Sequence, residues 1–241
     1  MKKAKSVLSI IILILSIIGI IYSATNIIIW KINVNTNNQI KKEINKYVIK
    51  KETSYEINFD ELKKRNKDVV GYLKVDDTNI DYVLVKTDNN DYYLDHNIDN
   101  NKNRAGWIFV DYRNKLDGSD LNVIIYGHNM RDGSMFGTLA NTLKKDWYSN
   151  YHKITLVTED KTYIYQTFST YTYDNEDYYL TTSFIGDEYE TFIKKIKLRS
   201  NHNYHVDLTN TKGIITLSSC IGNNKKRVVL HAQLVDTIVN K

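Results

Sequence analysis

The residues best suited to chemistry in this 241-residue chain are a lone cysteine, an arginine seven positions after it, and six histidines. Cys220 closes the strand-like run Ile214-Ile-Thr-Leu217, where Ser218, Ser219 and Gly222 mark the end of the run. Arg227 opens the next β-branched run. Two antiparallel strands joined by the intervening loop would set a guanidinium beside a thiol. A neighbouring cation favours the thiolate. It can also hold the negative oxygen that forms when a carbonyl is attacked. Both effects point to nucleophilic acyl chemistry. The competing reading of a lone cysteine is an inert, buried small hydrophobe, since exported structural cysteines normally come in pairs.

A thiol that expels an amine needs a proton donor, usually histidine. His128 follows the β-branched run Val123-Ile-Ile-Tyr126, and Gly127 is read as allowing a sharp turn there. His96 and His152 lie in polar stretches and are expected to be exposed. His202 and His205 fall in an Asn-rich loop, and His231 is expected to pack within the last strand. Spacing ranks His128 first and leaves the others open. One cysteine and scattered histidines match no zinc spacing. No Gly-rich phosphate loop occurs, so neither a metal nor a cofactor is expected.

The elements that must position these groups follow from periodicity. Short β-branched or aromatic runs at 69–75, 80–85, 106–110, 121–126, 154–157, 162–168, 213–217 and 227–235 suggest about eight strands, hence a closed barrel or a sandwich. Thr36-Asn-Asn-Gln39 has the form of a capping box, and Ile40, Ile44 and Val48 recur every four residues, predicting a helix over 37–51. Asn58-Phe-Asp-Glu61 predicts a second, short helix. Further helices are expected over 136–143 and 187–199, the latter with a Tyr189, Phe192, Ile193, Ile196 stripe read as core packing.

At the N-terminus, residues 7–30 are almost all apolar and carry no charge. About 24 residues make about 36 Å of helix, enough to cross a hydrocarbon layer of about 30 Å. The apolar character resumes after Tyr22-Ser-Ala-Thr25, which favours an uncleaved anchor over a cleaved signal peptide. The preceding lysines predict a cytoplasmic tail over 1–6. The expected division is then tail 1–6, transmembrane anchor 7–30, amphipathic spacer 31–52 and one domain over 53–241. The net charge of +5 is spread along the chain, with no dense basic tract, so nucleic acid is not an expected partner.

Several blocks in order resemble class B sortases, the membrane-anchored cysteine transpeptidases of Gram-positive bacteria. They are Phe59-Asp-Glu-Leu62 with Val70-Gly-Tyr-Leu73, Asp91-Tyr-Tyr-Leu-Asp-His-Asn97, Ala105-Gly-Trp-Ile-Phe-Val-Asp-Tyr-Arg113, Ile125-Tyr-Gly-His-Asn-Met130 with Met135-Phe-Gly137, and Thr216-Leu-Ser-Ser-Cys220 leading to Arg227. The resemblance implies a mainly β, sortase-like eight-stranded barrel with N-terminal helices and an inserted helix near 187–199. It implies Cys220 as nucleophile, His128 as general acid/base and Arg227 as oxyanion and substrate clamp. Asn90, Leu94, Tyr126, Tyr179, Leu180 and Ser218 match the family's substrate groove.

The implied reaction cleaves an Asn-Pro-x-Thr-type sorting motif after Thr through a thioacyl intermediate. The implied partners are surface proteins bearing that motif, a peptidoglycan peptide amine and the membrane, with the catalytic domain outside the cell membrane. The chain departs from the pattern of some class B members in lacking an acidic residue between Cys220 and Arg227, which leaves a Cys-His-Asp triad without its third member. Lys153 also stands where the family often has proline. Two alternatives stay open: an anchored cysteine protease that releases peptides to water, and a non-catalytic wall-binding barrel.

Overall fold

A computed structural model describes the backbone of residues 2–51, 54–150, 152–174, 178–221 and 226–240. In chain order the elements are helix α1 (Lys2–Ile44), a hairpin of β1 (Val48–Lys50) and β2 (Tyr55–Ile57), α2 (Phe59–Arg65), β3 (Val69–Val75), β4 (Asp81–Val85), β5 (Phe109–Val110), β6 (Asn122–His128), α3 (Lys145–Tyr148), β7 (Lys153–Val157), β8 (Lys161–Asp174), α4 (Glu188–Leu198), β9 (Ile214–Ile221) and β10 (Lys226–Val239). Strands β3 to β10 close into a barrel in the order β10-β8-β7-β3-β4-β5-β6-β9, so the expected barrel is found. Its pairings are antiparallel except β4 with β5 and β6 with β9. Closure removes the sheet edges that an open sandwich would have to protect.

Of the helix expected over 37–51, only 37–44 is helical and it is the end of α1; Asn45–Tyr47 form a 3-10 turn and Val48–Lys50 is strand β1. No glycine or proline stands between Ile20 and Ile44, so nothing breaks the helix and Thr36 caps no new start. Val34, Asn37, Ile40 and Ile44 are buried and recur on one face, which docks on the barrel. Asn37 Nδ2 donates to Gly106 O (2.9 Å), and Asn103 Nδ2 donates to Asn37 Oδ1 (2.9 Å). Ahead of this docked part the apolar side chains of α1 stand open on all sides, with Leu15 and Ile20 62% and 68% exposed. Among the described residues this is the one helix long and apolar enough to cross a membrane.

Other elements differ in extent from the sequence expectation. The run 106–110 pairs only at Phe109–Val110, because Gly106 turns at φ +56 and Trp107 N instead donates to Tyr93 O. The 136–143 segment is a 3-10 turn over Leu139–Leu143 followed by α3. Asn58 caps α2 as predicted, its side chain accepting from Glu61 N. Helix α4 also matches, with Phe192, Ile193 and Ile196 buried against Phe168, Tyr171, Tyr179 and Val229. The Asp187 side chain makes no capping hydrogen bond at its start, where Glu188 Oε2 accepts from Ile185 N.

Candidate active site

Strand pairing brings the three chemistry-bearing residues into one row. β6 runs parallel to β9 with His128 opposite Cys220, and β9 runs antiparallel to β10 with Cys220 opposite Arg227. Neighbouring strands lie about 4.8 Å apart, so Cys220 is flanked at backbone level by the histidine and the arginine. The hairpin expectation for 220 and 227 is met. The register places the Cys220 backbone in this row; its side chain lies outside the described part of the structure. Gly127 is not at a turn; it lies within β6, and a Cβ there would come 2.9 Å from Phe136 Cγ. Its lack of a side chain lets the Phe136 ring pack against the strand beside His128.

The His128 ring is half-buried, and its Nε2 lies 2.7 Å from Leu94 O. A carbonyl can only accept, so Nε2 carries a hydrogen and Nδ1 is the nitrogen left to take or give a proton. Leu94 ends a 3-10 turn over Tyr92–Leu94 that is itself fixed by Gly106. A Cβ at Gly106 would stand 2.4 Å from Tyr93 O, so only glycine lets the two segments meet. On the other side of the row, Arg227 Nη1 donates to Tyr179 Oη (3.2 Å), which is 2.9 Å from Ser218 Oγ.

A cleft of about 280 Å³ opens over this row. Five of the six expected substrate contacts, Asn90, Leu94, Tyr126, Leu180 and Ser218, line it together with His128 and Arg227. Tyr179, the sixth, is fully buried behind the wall and reaches the site only through its hydroxyl. Phe109 and Asp91 also line the cleft and were not singled out from the sequence. Phe109 pairs with Tyr126 across β5 and β6, their rings 5.2 Å apart. Both lie in aromatic β-runs, but only the barrel's closure turns that face toward the cleft.

The remaining described histidines are held elsewhere. His152, expected to be exposed, is buried: it stacks on Trp147 and its Nε2 meets Trp147 O at 2.7 Å. His96, also expected to be exposed, is partly covered, with its ring stacked on Tyr92. His202 stacks on Tyr148 with Nε2 2.8 Å from Leu143 O, and His205 stays exposed. His231 is packed within β10 as expected and is fully buried. Thr216 Oγ1 donates to Asn122 Oδ1, so it accepts from His231 Nδ1, and His231 Nε2 in turn accepts from the Tyr171 hydroxyl (2.9 Å). Among the described residues, no group of three or more His, Cys, Asp or Glu side chains could hold a metal ion.

Burial lowers His231 from 6.5 to about 3. The folded chain therefore keeps it neutral while the unfolded chain protonates it, so stability falls as pH drops below about 6.5 and is lost progressively down to about 3. From pH 7 to 5 this single group is expected to cost about 2 kcal/mol. Denaturant unfolding of the full chain in detergent micelles at the two pH values should show that loss, and His231→Gln should remove most of it. An unchanged pH slope in the variant would contradict the assignment.

Comparison with known proteins agrees with this geometry. A family model described as the sortase domain matches residues 73–235. Sortase B of Listeria monocytogenes is 40% identical over 179 residues, covering 73% of this chain and 73% of that protein. The crystal structure of Bacillus anthracis sortase B in complex with AAEK2 superposes with a TM-score of 0.74 at 36% identity, covering 84% of this chain and 97% of that one. The Staphylococcus aureus sortase B–substrate complex gives a TM-score of 0.69 at 33% identity, covering 74% and 84%.

Proposed function

Because the chain belongs to the sortase family, in its class B, a family of cysteine transpeptidases, we propose that Cys220 cleaves an Asn-Pro-x-Thr-type sorting motif after Thr and passes the acyl group to a peptidoglycan amine. The observation that carries this reading is the His128–Cys220–Arg227 row across three adjacent strands. The chain has one cysteine, so the family's thiol chemistry has a single candidate.

In this scheme the Cys220 thiolate adds to the carbonyl carbon of Thr, and Arg227 hydrogen-bonds the oxygen that becomes negative. The C–N bond then breaks as His128 gives its proton to the leaving amine, and a thioester remains on Cys220. The acceptor amine adds to the thioester, His128 takes a proton from it, and the thiolate departs. Each half-reaction returns the proton that the other used. Asn90, Leu94, Tyr126, Leu180 and Ser218 bind the motif along the cleft walls, with Tyr179 bracing Arg227 from behind. An acidic third member is not required, since Leu94 O already orients the His128 ring.

Residues 1–6 form the cytoplasmic tail, 7–30 the anchor and 31–52 the spacer, which sets the catalytic domain of 53–241 on the outer face of the cell membrane. Surface proteins that carry a C-terminal sorting motif reach it there as acyl donors, and wall peptide amines as acceptors.

The test uses the full chain in detergent micelles with an Asn-Pro-x-Thr peptide and triglycine as the amine. A triglycine-linked product that replaces the free acid as amine is added is the expected result. Free acid alone, whatever the amine concentration, would support the protease reading instead.

A further inference from the structure

The Asp111 carboxylate is completely buried and every one of its bonds goes to the cleft's framework. Its Oδ2 accepts from Asn90 Nδ2 (3.0 Å), from the Tyr126 hydroxyl (2.7 Å) and from Arg113 Nη2 (2.7 Å). Its Oδ1 accepts from Arg113 N (3.0 Å) and Nε (2.8 Å). The same Nη2 of Arg113 donates to Leu180 O (2.9 Å). Asn90, Tyr126 and Leu180 come from three separate segments of the chain, and all three line the cleft. One ion pair thus fastens three walls.

The fastening also fixes what the walls present. Asn90 Oδ1 accepts from Tyr112 N (3.0 Å) and one hydrogen of Nδ2 goes to Asp111, so one amide hydrogen is left for a ligand. Tyr126 spends its hydroxyl hydrogen on Asp111, so toward the cleft its oxygen can only accept. Burial alone would push the Asp111 carboxyl up, but the Arg113 and Tyr126 hydrogen bonds outweigh it and hold the group below the usual carboxylate range. The hub is therefore charged at any working pH.

We propose that Asp111 is a positioning residue which, together with Arg113, holds Asn90, Tyr126 and Leu180 in the spacing that binds the acyl-donor peptide. This rests on the reading of the cleft as the sorting-motif site. It assigns the pair to donor binding and not to proton transfer, because neither Asp111 nor Arg113 lies in the His128–Cys220–Arg227 row. Asparagine at 111 removes the charge and sets a donating amide against either the Asn90, Tyr126 and Arg113 Nη2 donors or the Arg113 N and Nε donors, so the hub loosens in either orientation.

The experiment measures steady-state kinetics of the full chain in detergent micelles with the Asn-Pro-x-Thr peptide and triglycine, for wild type, Asp111→Asn, Arg113→Lys and Tyr126→Phe. The expected result for Asp111→Asn is a peptide KM raised about tenfold with kcat within about threefold, and triglycine dependence unchanged. Arg113→Lys keeps the charge but loses the fork that reaches Leu180 O, so it should raise KM in the same sense. It also decides the matter if the asparagine variant does not fold. In the Asp111→Asn background, Tyr126→Phe should cost less than it does alone, because the bond it removes has already lost its charged acceptor. Unchanged KM in folded variants, or fully additive effects, would overturn the proposal while wild-type acylation left the site reading intact. Absence of acylation in wild type would sink both.

Discussion

Replacing His128 with glutamine is expected to slow turnover of the sorting peptide about 10²–10⁴-fold, the usual contribution of a positioned general acid/base. The reason is specific to the leaving group. An amine is expelled from the tetrahedral intermediate only if it is protonated as the C–N bond breaks, and His128 is the histidine whose strand position faces Cys220. The other described histidines are spent on packing or face elsewhere; His231, for one, is fully buried with both ring nitrogens engaged. A donor whose leaving group departs without protonation, such as an activated thioester of the same peptide, should therefore be far less sensitive to the change. Comparing the two donors on the glutamine variant checks this. Equal losses for amide and thioester would mean that the substitution had disturbed the cleft and not a proton transfer.

Arg227→Lys should lower kcat for the peptide about 10²–10³-fold, the typical cost of losing a donor to a developing oxyanion. Lysine keeps the positive charge beside Cys220 but not the planar fork. In the native chain that fork donates to Tyr179 Oη, and Tyr179 is in turn hydrogen-bonded to Ser218. Because the charge is retained, the pH profile of thiol alkylation by iodoacetamide should change little, while acyl transfer falls. A kcat close to wild type would remove Arg227 from the oxyanion role. A large shift in the alkylation profile, with kcat changed in proportion, would assign it to thiolate formation instead.

Some of this was legible in the sequence for plain physical reasons. Cys220 and Arg227 sit at facing ends of two β-branched runs, so a short connection forces them to pair, and β9 and β10 do so. The α4 stripe and the Asn58 cap were equally local signals. The parallel pairing of β6 with β9 was not readable in this way. It joins strands far apart in the chain, and only closure of the barrel sets His128 opposite Cys220.

Local rules also misled where tertiary contacts override them. Gly127 looks like a turn residue but serves the close approach of Phe136. His152 sits among polar residues yet is buried by stacking on Trp147. The capping box at Thr36 is overridden because an unbroken apolar helix precedes it and Asn37 finds its partners on the barrel. Asp111 stood in a recognisable motif without a role, since its bonds to Asn90 and Tyr126 come from segments whose approach depends on the fold.

In the proposed reaction the lone thiol carries the acyl group. The most direct test of this step is the intact mass of the full chain quenched in acid after brief mixing with an Asn-Pro-x-Thr peptide, without amine, beside Cys220→Ala. A mass gain equal to the acyl half of the peptide is expected on wild type, absent from the alanine variant and discharged when triglycine is added. Turnover of the peptide by Cys220→Ala, or a wild-type adduct that maps to another residue, would contradict it.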